Sequence, residues 1–391
     1  MNIAFLGSNE ILLERARRLG CYCLLIHEPD KVSQAALNLA HETYLGPPDP
    51  ERICAWLRPK NIKTCASLSE HYLELCGQLN QLLNLDNGAS LRLAKTTRLK
   101  SETRSHLEGT DLNIPYLVSD DLELVSDFMI RHKSLIAKPL KGVGSRGITR
   151  IETVELLKSF FETNHPQDFI FEKFVQGTEY SVETISQGGT HQIVGVTCKF
   201  LYPDSYVEQQ QLAGSFDDHL RYESLVKAAN ELLIKLEVID GVFHSEFIVE
   251  DGSEKVYSIE CHNRVGGCSI PELWHLRTGY DLYTEYIRLT LGLPVRMVPD
   301  HKDSEVFASS YYFSREKLMS GFQVGTEYLR CASHIADFRL FPKRSDDRND
   351  IASSGDRPGY FVIHARNKTD YEKLMEQTLN NLYLRPRLND V

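Results

Sequence analysis

Residues 242–263 read VFHSEFIVEDGSEKVYSIECHN, two strand-length runs on either side of Asp251-Gly252. Asp-Gly between alternating runs is a strong hairpin signal, so this stretch commits part of the chain to an antiparallel sheet. Register decides the chemistry, because a slip of one residue turns every side chain to the other face. A two-residue loop pairs Glu246 with Tyr257 and sends Glu246 and Glu260 to opposite faces; a three-residue loop pairs Glu246 with Ser258 and His244 with Glu260. Only the second predicts one apolar face, made of Phe243, Phe247, Tyr257 and Ile259, with His244, Glu246, Ser258 and Glu260 on the other. Two carboxylates held close repel unless protonated or bridged by a cation. Hard oxygen donors kept partly in water suit Mg2+, so Glu246 and Glu260 are candidate metal ligands, with a plain solvated face as the alternative.

Upstream, SLIAKPLKGVGSRGITRI formally contains Gly-x-Gly-x-x-Gly at 142–147. A dinucleotide fingerprint needs a helix to open inside the glycines, yet ITRI continues as a strand and the helix signal waits until Thr153. The spacing predicts a strand-loop-strand flap, which argues against a nicotinamide oxidoreductase. Backbone N–H groups at Gly142, Gly144, Ser145 and Gly147 then approach phosphate oxygens, and Lys138 on the preceding strand adds an ammonium; a plain hairpin with a solvated lysine is the alternative. In FIFEKFVQGTEYSVETI, alternation puts Glu179, Ser181 and Glu183 on one face. Carboxylates in that position accept hydrogen bonds from a ribose diol, or line a solvated face.

Around these motifs, MNIAFLG, LLERARRLG and CYCLLIH alternate as a parallel α/β unit does, although the first turn, GSNE, lacks the glycine fingerprint. Residues 67–106 read as helical with a break near NLDNGAS. After residue 300 a charged run, PKRSDDRNDIASSGDRPG, reads as a loop before a strand, YFVIHA, and a helix, YEKLMEQTLNNL. At 391 residues two or three subdomains are expected: a Rossmann-like 1–95, a 96–300 region with a flap subdomain at about 134–185, and a C-terminal lobe, 301–391. The class is α/β and α+β. A net charge of -10, evenly spread, argues against a nucleic-acid surface, and no run of about 18 apolar residues predicts a membrane span. Nine scattered cysteines without a CxxC pair fit a reducing cytoplasm.

The order of Lys100, Lys138 in AKP, the GVGSRG flap, EKFVQGTEYSVE, HSEF and IECHNRVGG resembles the ATP-grasp superfamily, and within it carboxylate-amine ligases similar to bacterial L-amino acid ligases. The resemblance spans about residues 95–291, with a looser match on either side. It implies an ATP-grasp fold with a Rossmann-like N-terminal domain. Lys100 and Lys138 would reach nucleotide phosphates. Glu172 would receive the adenine amino group, the backbone of Lys173, Phe174 and Val175 would read the rest of the base, and Glu179 would hold the ribose. Glu246 and Glu260 would bind Mg2+, or Mn2+ in its place. Arg264, with Gly266 and Gly267, would stabilise the transferred phosphoryl and an oxyanion.

Many members carry Asn two residues after the second metal acid; here that position is His262, with Asn263 displaced by one, and whether either meets the metal is open. The Glu260 to Arg264 spacing favours the ligase branch. The implied reaction joins a carboxylate to an amine through an acyl phosphate, giving an amide or dipeptide, ADP and phosphate. Bicarbonate activation by a carboxylase-like enzyme, and an inactive nucleotide-binding regulator, are the competing expectations. For the substrates, Glu208 is a candidate for an ammonium, Lys199 or His244 for a phosphate or carboxylate, and Trp274 for an acceptor pocket wall; an exposed loop and a core position are the alternatives for Glu208 and Trp274. A homodimer is expected by analogy only.

Overall fold

The apolar runs at the N-terminus form β1 (Asn2–Leu6), β2 (Tyr22–His27), β3 (Glu42–Leu45) and β4 (Ile62–Ala66), a parallel sheet in the order β3-β2-β1-β4. Its central strand is buried along Ile3, Ala4, Phe5 and Leu6, as a sheet covered on both faces requires. The computed structural model describes the chain except residues 8–9, 86, 215–218, 301–305, 320–321, 342–350 and 385–391. The first half of the expected charged loop, PKRSDDRND, lies outside the described residues.

A second, antiparallel sheet contains β5 (Tyr116–Leu117), β6 (Leu135–Pro139), β7 (Thr149–Ile151) and β8 (Phe169–Lys173), ordered β5-β8-β6-β7. Leu135 pairs with Ile151 across β6 and β7, so GVGSRG does join two strands. The following helix starts only at Val154, where the Thr153 hydroxyl accepts from the Leu156 N–H.

The third sheet has eight strands: β9 (Gly177–Gln187), β10 (Thr190–Leu201), β11 (Glu208–Ala213), β12 (Gly241–Glu250), β13 (Val256–His262), β14 (Phe307–Tyr312), and, beyond β15 (Gln323–Val324), β16 (Ile335–Leu340) and β17 (Gly359–Ala365). Their order is β13-β12-β9-β10-β11-β14-β17-β16; β15 pairs separately with β18 (Tyr383–Leu384). The segment 134–185 is therefore divided between two sheets, its strands up to Lys173 in the small one and Gly177–Gln187 in the large one. The strand pair β11 and β14 carries the large sheet across residue 300.

One face of the large sheet, with Tyr180, Val182, Val196, Phe243 and Phe247, packs on the helix His219–Lys235 through Leu225, Leu232 and Leu233. The N-terminal lobe docks through the helix Leu282–Thr290: the Tyr286 hydroxyl donates to the Ser67 carbonyl at 2.9 Å and accepts the Ser67 N–H at 3.1 Å. Arg15 and Asp281 add an ion pair at 2.6 Å. The opposite face of β9, β12 and β13 floors a cleft whose roof is the small sheet and its flap. Among the described residues no helix is long and apolar enough to cross a membrane.

Candidate active site

The cleft encloses about 860 Å3. At its apolar end Ile114, Ile136, Val175, Ile248 and Ile259 line the wall beside Lys173 and Phe174, a surface suited to a flat heterocycle. Lys138 is buried in the lining of the cleft, and its ammonium is 2.9 Å from Glu172. Glu172 is 1% exposed and also accepts from Arg104 Nε at 2.6 Å. Burial alone would raise this carboxyl, but Arg104 and Lys138 hold it down at about 2. Glu172 thus pairs with two cations and positions Lys138; a carboxylate has lone pairs beyond these two contacts, so the pairing is compatible with the adenine role expected of it. Lys173 and Phe174 donate their N–H groups to Pro115 and Ser134 at 2.9 and 3.0 Å, so neither offers a donor to a base, whereas Val175 lines the wall.

The flap residues Gly142, Gly144, Ser145 and Gly147 all face the cleft. Gly144, Ser145 and Gly147 have φ of 64, 60 and 75°, the left-handed backbone that turns successive N–H groups inward. The flap is closed against a C-terminal loop, since Ser354 N–H donates to the Gly144 carbonyl at 3.1 Å.

In the hairpin neither anticipated register occurs. Glu246 pairs directly with Glu260 and His244 with His262, whereas Phe247 pairs with Ser258, so Ile259 is an inserted residue, a β-bulge. The bulge brings consecutive residues, Ile259 and Glu260, to the cleft. It also reverses the expected faces beyond it: Tyr257 and Ile259 pack with Ile114, Val175 and Ile248 on the cleft side, and Ser258 is buried opposite. Arg104 holds the bulge, donating to the carbonyls of Ser258 and Ile259 at 2.7 and 3.1 Å. Glu179, Ser181 and Glu183 do share one face, opposite Ile248, Glu246 and His244.

Each facing carboxylate is neutralised by a lysine. Glu246 lies 2.6 Å from Lys199 and Glu260 3.1 Å from Lys100. Burial would raise both acids, yet Lys199 and His244 depress Glu246, and Lys100 and His262 depress Glu260, well below the usual carboxylate range. His244 bridges Glu183 and Glu246; burial opposes its charge, but Glu183 and then Glu246 push it up to about 9. Burial pushes Glu179 up to about 7, against Lys199 and helped by Glu246 and Glu208. His262 has both ring nitrogens occupied, Nδ1 by Glu70 and Nε2 by Glu260, each at 3.1 Å. Asn263 turns away toward Gly241, whose hypothetical Cβ would meet its Oδ1 at 2.9 Å. His262 thus stands beside Glu260, whereas Asn263 points away from it.

Arg264 lines the cleft, and its Nε donates to Glu70 Oε2 at 2.7 Å. Gly267 is open to the cleft, but Gly266 is not an oxyanion donor: its N–H goes to Glu183 Oε2 at 3.0 Å. A Cβ at Gly266 would meet Glu183 and His244 at 2.9 Å, so glycine here permits that close approach. Trp274 is 1% exposed, packs on Gly195, and donates to Thr197 at 2.9 Å; it is a core residue rather than a pocket wall. Glu208 stands between Lys199 at 3.3 Å and Arg357 at 3.9 Å, so its charge already faces two cations. Arg104, Glu70, Gln211 and Arg357 escaped the sequence analysis because each is a single polar residue in an otherwise unmarked helix, strand or loop.

A family model described as ATP-grasp domain matches residues 98–268. Carbamoyl-phosphate synthase of Methanobrevibacter smithii is 24% identical over 192 residues, 46% of this chain and 49% of that protein, so the chain spans about half the length of the curated relative it matches. The L-amino acid ligase of Bacillus licheniformis superposes with a TM-score of 0.83 at 18% identity, covering 99% of both chains. The biotin carboxylase domain of 2-oxoglutarate carboxylase from Hydrogenobacter thermophilus, solved with MgADP, ADP and bicarbonate, superposes with a TM-score of 0.74 at 13% identity over 98% of this chain and 90% of that one. These likenesses establish the three-lobed ATP-grasp fold, within which residues 98–268 match the ATP-grasp domain.

Proposed function

We propose that the protein is an ATP- and Mg2+-dependent ligase that joins the carboxylate of an L-amino acid to an amine, releasing ADP and phosphate. The observation that carries this reading is the direct pairing of Glu246 with Glu260 at the mouth of an apolar pocket, under a closed glycine flap. End-to-end likeness to an amino acid ligase supports the substrate class.

The residues fit a hard cation. Among the described residues no group of three or more His, Cys, Asp or Glu side chains is arranged to hold a metal, but two opposed carboxylates suit an ion that completes its shell with phosphate oxygens and water. When bound, Mg2+ supplies charge neutralisation at the transferring phosphoryl group. Lys100 and Lys199, which compensate the acids in the structure, are placed to turn to phosphate oxygens. The adenine lies against Ile248 and Ile259, Val175 supplies the N–H at its edge, and Glu179 accepts from the ribose. The substrate carboxylate attacks the γ-phosphoryl group, and Arg264 offsets charge on the transferring oxygens. The amine then attacks the acyl phosphate, with Arg264 and the Gly267 backbone facing the developing oxyanion. The closed flap excludes the water that would hydrolyse the intermediate.

A phosphate-release screen over amino acid pairs, with product masses, tests the reaction; bicarbonate with an amine is the competing arm. Dipeptide mass with stoichiometric phosphate is the expected result, and phosphate release only with bicarbonate overturns it. Glu260→Gln and Arg264→Ala are expected to lower turnover by about a thousandfold or more while far-ultraviolet circular dichroism stays unchanged.

A further inference from the structure

Amide formation uses the lone pair of an amine, and at neutral pH a proton occupies that lone pair. The mechanism above assigns no residue to remove it. Among the described residues the cleft is lined by five glutamates and three histidines, and seven of these eight groups are already engaged. Glu172, Glu208, Glu246 and Glu260 each have a lysine ammonium within 2.6–3.3 Å, and Glu179 serves the ribose. His244 is bridged by Glu183 and Glu246, and His262 by Glu70 and Glu260, so neither keeps a free ring nitrogen. His71 differs from all of them. It is exposed, it lines the cleft, and neither ring nitrogen has a hydrogen-bond partner among the described residues.

The topology of the N-terminal lobe points to the same residue. In the order β3-β2-β1-β4 the chain runs outward from β1 through β2 to β3, then returns to the other side of β1 as β4. The strand order therefore reverses between β1 and β4, and open parallel sheets bind ligands in the crevice outside the carboxyl ends of the strands at that reversal. Two loops meet there. Gly7 follows β1, and a Cβ on it would fall 2.3 Å from the Tyr72 ring; Tyr72 closes a turn after β4 by donating its N–H to the Ser69 carbonyl at 2.9 Å. Glu70 and His71 form the tip of this turn. Glu70 is clamped to Arg264 at 2.7 Å and to His262 at 3.1 Å, and adjoining Cα atoms lie only about 3.8 Å apart. The backbone carrying His71 is thus fixed beside the arginine that meets the reacting carbonyl.

Resting on the ligase reading, we propose that His71 is the general base that takes a proton from the ammonium of the amine substrate. Imidazole is the side chain most often used for this task. One ring nitrogen accepts the proton, and the freed lone pair forms the C–N bond at the acyl phosphate carbon while the carbonyl π pair moves onto oxygen. When that pair returns, the C–O bond to phosphate breaks. The leaving phosphate takes the bonding pair and the second proton from nitrogen, and departs as hydrogen phosphate. The imidazolium then passes its proton to water, for which an exposed side chain at the cleft mouth is suited.

Hydroxylamine tests this step, because it is largely unprotonated at neutral pH and attacks an acyl phosphate without a base. The full chain with ATP and Mg2+ is offered each standard amino acid as donor, with hydroxylamine in one arm and the standard amino acids as acceptors in the other. His71→Gln and His71→Ala are expected to lower kcat for amide formation by about a hundredfold, and to leave hydroxamate formation and the KM for ATP within about threefold. Added imidazole should restore part of the amide rate in His71→Ala. Amide formation at the wild-type rate in both variants, or equal losses of amide and hydroxamate, overturns this assignment alone. A wild-type protein that forms neither product with any amino acid overturns the ligase reading and this assignment with it.

Discussion

Arg104 shows how one residue can serve both halves of the site. Its Nε pairs with Glu172, which in turn holds Lys138, and its Nη atoms hold the two carbonyls of the bulge that presents Glu260. Removing one partner from a buried ion network leaves an uncompensated charge, which costs about 3–5 kcal/mol. Arg104→Met is expected to lose stability in that range by urea unfolding, and to raise the KM for ATP as Lys138 and Glu260 lose their supports. Glu179 makes a separate prediction. Burial sets it at about 7 in the free protein, above the 4.5 of an exposed glutamate, so the folded chain retains its proton at mildly acidic pH. Hydrogen bonds from a ribose diol need the ionised form, so ATP affinity should rise with pH until Glu179 is ionised. Below about pH 7 the KM for ATP is expected to rise by up to about tenfold per unit relative to a Glu179→Gln reference titrated alongside. Parallel profiles for the two proteins would remove Glu179 from ribose binding.

At the level of elements, the site depends on where strands depart from regular alternation. In β10 the pairing skips Val194, and Gly195 comes to lie under the Trp274 indole, where a Cβ would sit 2.0 Å from the ring. Trp274 is anchored through Thr197 and enclosed in the core, so it cannot give way. Gly195→Ala is therefore expected to destabilise the protein by about 1–3 kcal/mol, the usual cost of overpacking, measured as a lowered denaturation midpoint at constant slope. The same departures mark the limit of what the sequence discloses. Period-two alternation places Glu179, Ser181 and Glu183 correctly because β9 runs without a bulge against β12. The flap is legible because its glycines and the delayed helix signal are local. The face of Tyr257 and Ile259 is not, since nothing in VYSIEC announces an insertion whose carbonyls are bound by Arg104, 154 residues earlier. The pairing of Glu172 is hidden for a related reason: it depends on Arg104 and Lys138, partners that only the folded chain brings together.

Across the whole molecule, Arg264 is oriented by the N-terminal lobe, which also reaches the cleft through His71. Glu70 follows β4 in the N-terminal lobe, and its carboxylate takes Arg264 Nε at 2.7 Å and His262 Nδ1 at 3.1 Å, with Arg98 at 3.8 Å. Burial would raise this acid, but His262 and Arg264 hold it well below the usual carboxylate range, so it stays charged and directional. Glu70→Gln keeps the shape and removes the charge. In the mechanism proposed above Arg264 acts on the transferring group and not on the base, so kcat is expected to fall by about ten- to a hundredfold with the KM for ATP within about twofold. The docking of the lobe gives an independent handle. Tyr286→Phe deletes the hydroxyl that joins the Ser67 N–H and carbonyl, leaving buried polar groups unpaired at a cost of about 1–3 kcal/mol. If the lobe orients Arg264, this remote change should lower kcat in the same direction as Glu70→Gln, and the two together should lose less than the product of their separate effects. A Tyr286→Phe protein that melts earlier yet turns over normally at a temperature where it is fully folded would show that Glu70 is held in place without the docking helix.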